Sequence, residues 1–305
     1  MTLATGLATA PTAAAVTALP REEWTRAEAA HVARAHDLTG AYRDRRARGA
    51  THAVEDFLFT YYPVKPGLLA RWSPGVGVVL ADAADNRLAT ARWFTERDGV
   101  VALDPVTFLA DRGGAVRFHR SLLSAVEERP ARFDCFGLHE WAMVYGEAAG
   151  EHRHALPLRL GEQGTDEVVR SHRLVCSHID AFQFFTDAAR PLNATTPTRE
   201  SQIELDQGGC LHVGMDLLKT AIHLGPAVPG ELALDAFALA RDIRVLDMRA
   251  SPYDVSSFGL EPVAIETPAG KAAYVAAQRE LAERSAPLRR RLLQVCERLL
   301  DSPAP

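Results

Sequence analysis

The last third of the chain leaves little freedom in how it can fold. Apolar residues recur at helical spacing through CLHVGMDLLKTAIHL (210–224), stop at the turn GPAVPG, and resume from 231 to about 248. A helical period broken by one Gly/Pro turn predicts two antiparallel helices, an αα-hairpin. After an S-P-Y turn, a further run from about 267 to 300 predicts a long last helix, with Thr267 as N-cap and Pro268 in its first turn.

Upstream, helix formers with amphipathic spacing predict a long helix over 21–48 and another over 106–129, which crosses Gly113–Gly114 and stops before Pro130. A shorter helix is expected in GLHEWAMVYGE (137–147). Valine-rich pieces between glycines, in WSPGVGVVLADA, TARWFTE and GVVALDP, predict short strands. HALPLRL (154–160) is compatible with a strand, and RLVCSHIDAFQFF (173–185) reads equally as strand or buried helix. Residues 187–209, dense in Pro, Thr, Asn and Gly, predict an irregular loop of the kind that often carries function. The fold class is therefore mainly α: a helical domain with a C-terminal αα-hairpin and long last helix, plus a small β component in the first half. Residues 1–20, rich in Ala and Thr, read as a disordered leader, and 21–305 as a single mainly helical domain.

Composition narrows the function. With 305 residues and 47% apolar content the chain can build a large core. No run of 18 apolar residues offers a membrane span, and the first 20 residues lack the basic start and apolar centre of a secretory signal, so a cytoplasmic protein is expected. The 4 cysteines form no C-x-x-C pair, which points to reduced thiols rather than a zinc ribbon or disulfide framework. A net charge of −5, from 34 basic and 39 acidic side chains, weighs against nucleic acid as main partner and leaves a small-molecule substrate favoured. No G-x-G-x-x-G, P-loop, G-x-S-x-G or H-E-x-x-H stands in the sequence, so no nucleotide cofactor is expected.

A step of 100° per residue puts His212, Asp216, Lys219 and His223 in one sector of helix 210–224. Two imidazoles and a carboxylate on one helix face suit Zn, Mn or non-haem Fe; a solvent-facing polar stripe has the same pattern. On the partner helix Glu231, Asp235 and Asp242 also share a sector, and would meet that stripe if the hairpin closed with the two facing. His178 and Asp180 can chelate as a His-x-Asp pair if their segment is a strand, with His212 completing a two-His-one-carboxylate set. The expected metal ligands are thus His178, Asp180, His212 and Asp216, for a divalent Fe, Mn or Zn ion. His139, Glu140 and Asp242 are the candidates for acid/base work, and Arg241, Arg244 and Lys219 for holding an anionic substrate group. Arg241, Arg244 and Arg249 interleave with Asp242, Asp247 and Asp254, which equally describes a structural ion-pair network.

The run of VEDFLFTYY, RWSPGVGV, CFGLHEWAMVY, PLRLG with TDEVV, CSHIDAFQFF, GCLHVGMDL and IRVLDMRASPYD resembles an actinobacterial family that carries the label 3-methyladenine DNA glycosylase. The resemblance covers nearly the whole chain after about residue 20. It implies hydrolysis of the N-glycosidic bond of an alkylated base, for which Asp216, Asp242 or Glu140 would serve a metal-free site. The His/carboxylate pattern itself favours a metal-dependent enzyme that acts on a small polar substrate by oxygen chemistry or hydrolysis. A non-catalytic binding protein is the third expectation.

Overall fold

The computed structural model describes residues 16–62, 64–148, 152 and 154–302. Its helices are α1 (Arg21–Ala47), α2 (Phe57–Tyr61), α3 (Pro66–Leu69), α4 (Pro105–Glu128), α5 (Leu138–Ala142), α6 (Gly161–Ser171), α7 (Ile179–Phe182), α8 (Gln202–Leu205), α9 (Leu211–Leu224), α10 (Gly230–Ala250) and α11 (Pro268–Leu300). Four short strands accompany them among the described residues: β1 (Thr17–Leu19), β2 (Val78–Leu80), β3 (Phe94–Arg97) and β4 (Val100–Leu103). The architecture is mainly α with a small sheet in the first half. None of the helices described is long and apolar enough to cross a membrane.

The long helices begin and end where local chemistry dictates. Asp104 caps α4 by accepting from Val106 N at 2.9 Å, with Pro105 in the first turn. Thr267 caps α11 by accepting from Gly270 N at 3.0 Å, again followed by proline. Helix α1 carries Glu22 and Glu23 in its first turn and Arg45 and Arg46 in its last, each complementing the helix dipole. The Gly-Gly pair inside α4 is carried through without a break, because Phe108, Val116, Leu123 and Val126 bury one face.

Helices α9 and α10 form the expected hairpin, and α11 lies across α4, α9 and α10. Buried Gly214 of α9 allows this close approach: a side chain there would meet Ile243 Cδ1 at 2.8 Å and Ser285 Oγ at 2.9 Å. One apolar cluster fills the space between these helices, with Trp141, Met215, Phe237, Tyr274 and Leu292 among its members.

The sheet runs in the order β1-β2-β4-β3, with β1 parallel to β2 and the other pairs antiparallel. Strands β3 and β4 join through Asp98-Gly99, both at positive φ (52° and 80°), the two-residue turn whose twist matches that of the strands. Leu80 and Val101 pack with Trp24 and Trp72 in a second apolar cluster between sheet and helix α1.

The structure departs from the sequence expectations in three places. The expected leader ends early: residues 17–19 form β1 against β2, while residues 1–15 lie outside those described. HALPLRL forms no strand, only an isolated bridge from Leu158 to Tyr253. RLVCSHIDAFQFF divides into a bridge from Leu174 to Asn193 followed by α7, so His178 and Asp180 do not stand on a strand.

Candidate functional site

Two groups of buried titratable side chains adjoin where α5, α7, α9 and α10 meet. Helix α5 begins at Gly137, whose φ of +71° turns the chain inward; a Cβ there would press on Ala250 Cβ and Tyr274 at 3.3 Å. That turn sends His139 and Glu140 into the core. His212 and Asp216, one turn apart on α9, are each only 8% exposed, so the polar stripe faces inward rather than to solvent. From α10 come Arg244 and Asp247, three residues apart on its buried face.

In the first group His139 Nε2 lies 2.7 Å from Asp247 Oδ1, and the His139 and His212 rings meet edge to face at 4.5 Å. One potential ligand atom from each of His139, His212 and Asp247 falls within 4.8 Å of the other two, a geometry that could hold a metal ion. Arg244 Nη1 braces the group by donating to Glu140 Oε1 at 2.8 Å and Asp247 Oδ2 at 2.7 Å, and its guanidinium covers the Phe57 ring at 4.0 Å. Burial raises the pKa of Glu140, and Arg244 offsets only part of the rise. Asp247 is also penalised by burial, yet His139 and Arg244 hold it below the ordinary carboxylate range. Burial and the neighbouring His139 push His212 well down, which keeps its imidazole neutral. An enclosed cavity of about 20 Å³ lies against His139 and His212, lined further by Cys135, Cys176, Cys210 and Gln207. That is room for one water-sized molecule.

The second group combines His178, Asp180 and Asp216, whose nearest ligand atoms also fall within 4.8 Å. His178 Nδ1 is held by Asp206 Oδ1 at 2.9 Å, while its buried Nε2 has no hydrogen-bond partner and stands 3.6 Å from Asp216 Oδ2. Burial works against a charged His178, but Asp206, Asp216 and Asp180 outweigh it and bring its pKa up to about 9. Lys219 Nζ reaches Asp180 at 2.6 Å, and Arg199 pairs with the other oxygen of the same carboxylate. These cations outweigh the burial penalty and bring Asp180 down to about 2. Tyr62 donates to Asp216 Oδ1 at 3.1 Å, and burial raises the Asp216 pKa. The two groups touch through the His178 and His212 rings, stacked at 5.5 Å.

The structure thus brings together His139, Glu140, His178, Asp180, His212, Asp216, Lys219 and Arg244. It redistributes the expected ligand set: Asp216, not His212, completes the His178/Asp180 group, and His212 joins His139 and Asp247. His178 stands at the N-cap position of α7, its ring turned to Asp206 rather than to the helix end, and Asp180 sits in the first turn, a tight local geometry that brings the pair close without a strand.

Asp242 and Arg241 stand apart from both groups. Asp242 is half-buried and pairs with Arg284 of α11, with Arg241 beside it, so neither reaches the buried centre. Arg244 is corrected in role rather than place, since Glu140 and Asp247 already occupy it as an anion partner. The other acids of the α10 stripe do not face α9 either: Glu231 accepts from Trp72 Nε1 at 3.0 Å, and Asp235 pairs with Arg34 and Arg291. His223 leaves the stripe to pair with His119, Nδ1 to Nε2 at 3.1 Å.

Four members were missing from the expected set: Asp247, Asp206, Arg199 and Tyr62. Asp247 had a signal, because its spacing from Arg244 puts both on one helix face. Asp206 and Arg199 come from the irregular segment before α9, where no period assigns a direction to any side chain. No family model, no curated protein and no solved structure matches the chain.

Proposed function

We propose that the protein is a metal-dependent enzyme whose ion is held by His139, His212 and Asp247, and that it acts on a small polar substrate by oxygen chemistry or hydrolysis. The observation that carries this reading is the convergence of two imidazoles and one carboxylate, from three separate helices, against an enclosed cavity. Two histidines and a carboxylate with open positions are the ligand set of non-haem iron centres, and also suit Mn and Zn.

Charge separates this group from its neighbour. Around His178 the carboxylates of Asp180, Asp206 and Asp216 already face the cations His178, Lys219 and Arg199. Around His212, the buried carboxylates of Glu140 and Asp247 face one cation, Arg244, and the His139 ring. A divalent ion bound by His139, His212 and Asp247 would face the Asp247 carboxylate in place of the His139–Asp247 hydrogen bond. Such an ion supplies Lewis acidity, or a site for oxygen, at the cavity. The protein's own groups then have definite tasks. Arg244 fixes the Asp247 carboxylate, and the cavity wall limits what reaches the centre.

The test is elemental analysis of protein purified without a metal-affinity column, before and after chelation and reloading with Fe(II), Mn(II) or Zn(II). One ion per chain is expected in the wild type, lost in His212→Ala and Asp247→Asn and kept in His178→Ala. A wild type that holds no ion after reloading refutes the reading. Release of 3-methyladenine from alkylated DNA by that ion-free protein would instead favour the activity of the resembling family.

A further inference from the structure

The cavity against His139 and His212 is enclosed and has room for one water-sized molecule, so anything larger reaches it only if part of the wall moves. Most of that wall is fixed. Leu138 and His139 stand on α5 and His212 on α9. Cys176 is clamped by Asn193, whose Oδ1 accepts from Cys176 N at 2.8 Å and whose Nδ2 donates to Cys176 O at 2.9 Å. The remaining part, with Asp134 and Cys135, belongs to residues 130–137 between α4 and α5. These are neither helix nor strand, and Pro130, Ala131, Arg132 and Asp134 are exposed.

This segment has the parts of a flap. Where it enters α5, Phe136 and Gly137 stand in succession at positive φ, 48° and 71°. Glycine takes that conformation freely; an aromatic L-residue is strained in it and holds it only while its surroundings impose it. Two such positions at the end of an element are where a hinge absorbs its change of backbone angle. At the other root Arg129 of the α4 end donates to the Asp206 and Ile203 carbonyls.

The closing contacts between these roots converge on Arg132. Gln207 Oε1 accepts from Arg132 N at 2.7 Å and from Gly209 N at 2.8 Å, while its Nε2 donates to Arg132 O at 3.3 Å. Gly209 lies directly under the segment, and a Cβ there would collide with the Arg132 carbonyl. From α11, Arg279 covers the Phe133 ring at 4.2 Å and Lys271 approaches the Phe136 ring at 5.8 Å. One amide latch and two cation–π contacts make a closure that can be undone without disturbing a helix. We propose that residues 130–137 are a flap that opens about Phe136–Gly137, lifting Arg132 off Gln207 and Gly209, and so admits small molecules to the cavity. Its role toward an ion rests on the metal reading above; the flap itself does not.

Thiol labelling of the full-length protein tests it. Cys135 and Cys210 line the cavity, and burial pushes both thiols up, so the closed form shields them from N-ethylmaleimide. Cys296, fully buried under α11, reports global unfolding. Peptide mass spectrometry is expected to find Cys135 and Cys210 labelled at least about tenfold faster than Cys296 in the wild type. Gly209→Ala, which wedges the segment off its seat, is expected to raise both rates at least about tenfold, with Cys296 changed by less than about twofold. Arg279→Ala, at an exposed position outside the cavity, is expected to raise them about two- to threefold, and it stands alone if Gly209→Ala does not fold. In protein reloaded with an ion, its loss to excess chelator is expected to accelerate in step. Cavity thiols labelled no faster than Cys296, unchanged labelling in the variants, or faster labelling with unchanged ion loss overturns the proposal. A wild type that holds no ion refutes the metal reading instead, and the labelling still decides the flap.

Discussion

Replacing Arg244 by methionine tests the reasoning about the buried centre most directly. The guanidinium is 2% exposed, and one nitrogen serves Glu140 at 2.8 Å and Asp247 at 2.7 Å. Methionine has similar length and keeps much of the contact with Phe57, so the chief change is the loss of the cation. Two carboxylates are then left in the core with only His139 and His212 beside them. Breaking a buried pair in this way costs about 3–5 kcal/mol, because Glu140 loses its ion partner with no water to replace it. For a chain of this size that corresponds to a fall in Tm of about 6 °C. The double variant Arg244→Met/Glu140→Gln removes one of the stranded charges, and about 2 kcal/mol of the loss is expected to return. Urea denaturation with calorimetric Tm, on wild type, both single variants and the double, measures this coupling. A loss below about 1 kcal/mol in Arg244→Met, or a double variant as destabilised as the sum of the singles, would refute the claim that Arg244 is held by charge rather than packing.

Two further outcomes are expected. His119, beside Thr220 and His223, is driven down to about 4 by burial and by the nearby charges of His223 and Lys219. The unfolded chain takes up this proton near pH 6.5 and the folded chain only near 4, so the contribution is present above pH 6.5 and is lost as pH falls toward 4. That loss amounts to about 3 kcal/mol, and the gap between wild type and His119→Gln in urea unfolding should shift by that much between pH 7 and 4; parallel curves would contradict it. Gly137→Ala forces a Cβ into a positive-φ position and against Ala250 and Tyr274, so a loss of about 1–2 kcal/mol is expected, together with weaker ion retention because His139 is displaced. An unchanged urea midpoint would show that α5 enters the core by some other device.

The helices were legible because their signals are local. Caps such as Asp104 and Thr267, prolines in the first turn and a sustained apolar period act within a few residues, and α1, α4, α9, α10 and α11 match the expected spans closely. Half of the site was legible for the same reason: a one-turn spacing ties His212 to Asp216 wherever α9 lies. Their direction was not, because a polar stripe on a helix faces solvent or core according to what other segments bring to it. Here α5 brings His139 and α10 brings Asp247 and Arg244, and the match of charge turns the stripe inward. Asp242 misled because it shares a sector with Glu231 and Asp235, and that sector pairs with arginines of α1 and α11 instead. Short elements such as β1 and α7 have too few residues for a period to appear.

The partners His139 and Asp247 are separated by 108 positions along the chain. During synthesis, therefore, no nascent fragment that stops before α10 contains the full chelating set, and no excised peptide can reproduce it. An ion bound at this centre, as proposed above, would therefore mark a molecule whose α5, α9 and α10 have already assembled.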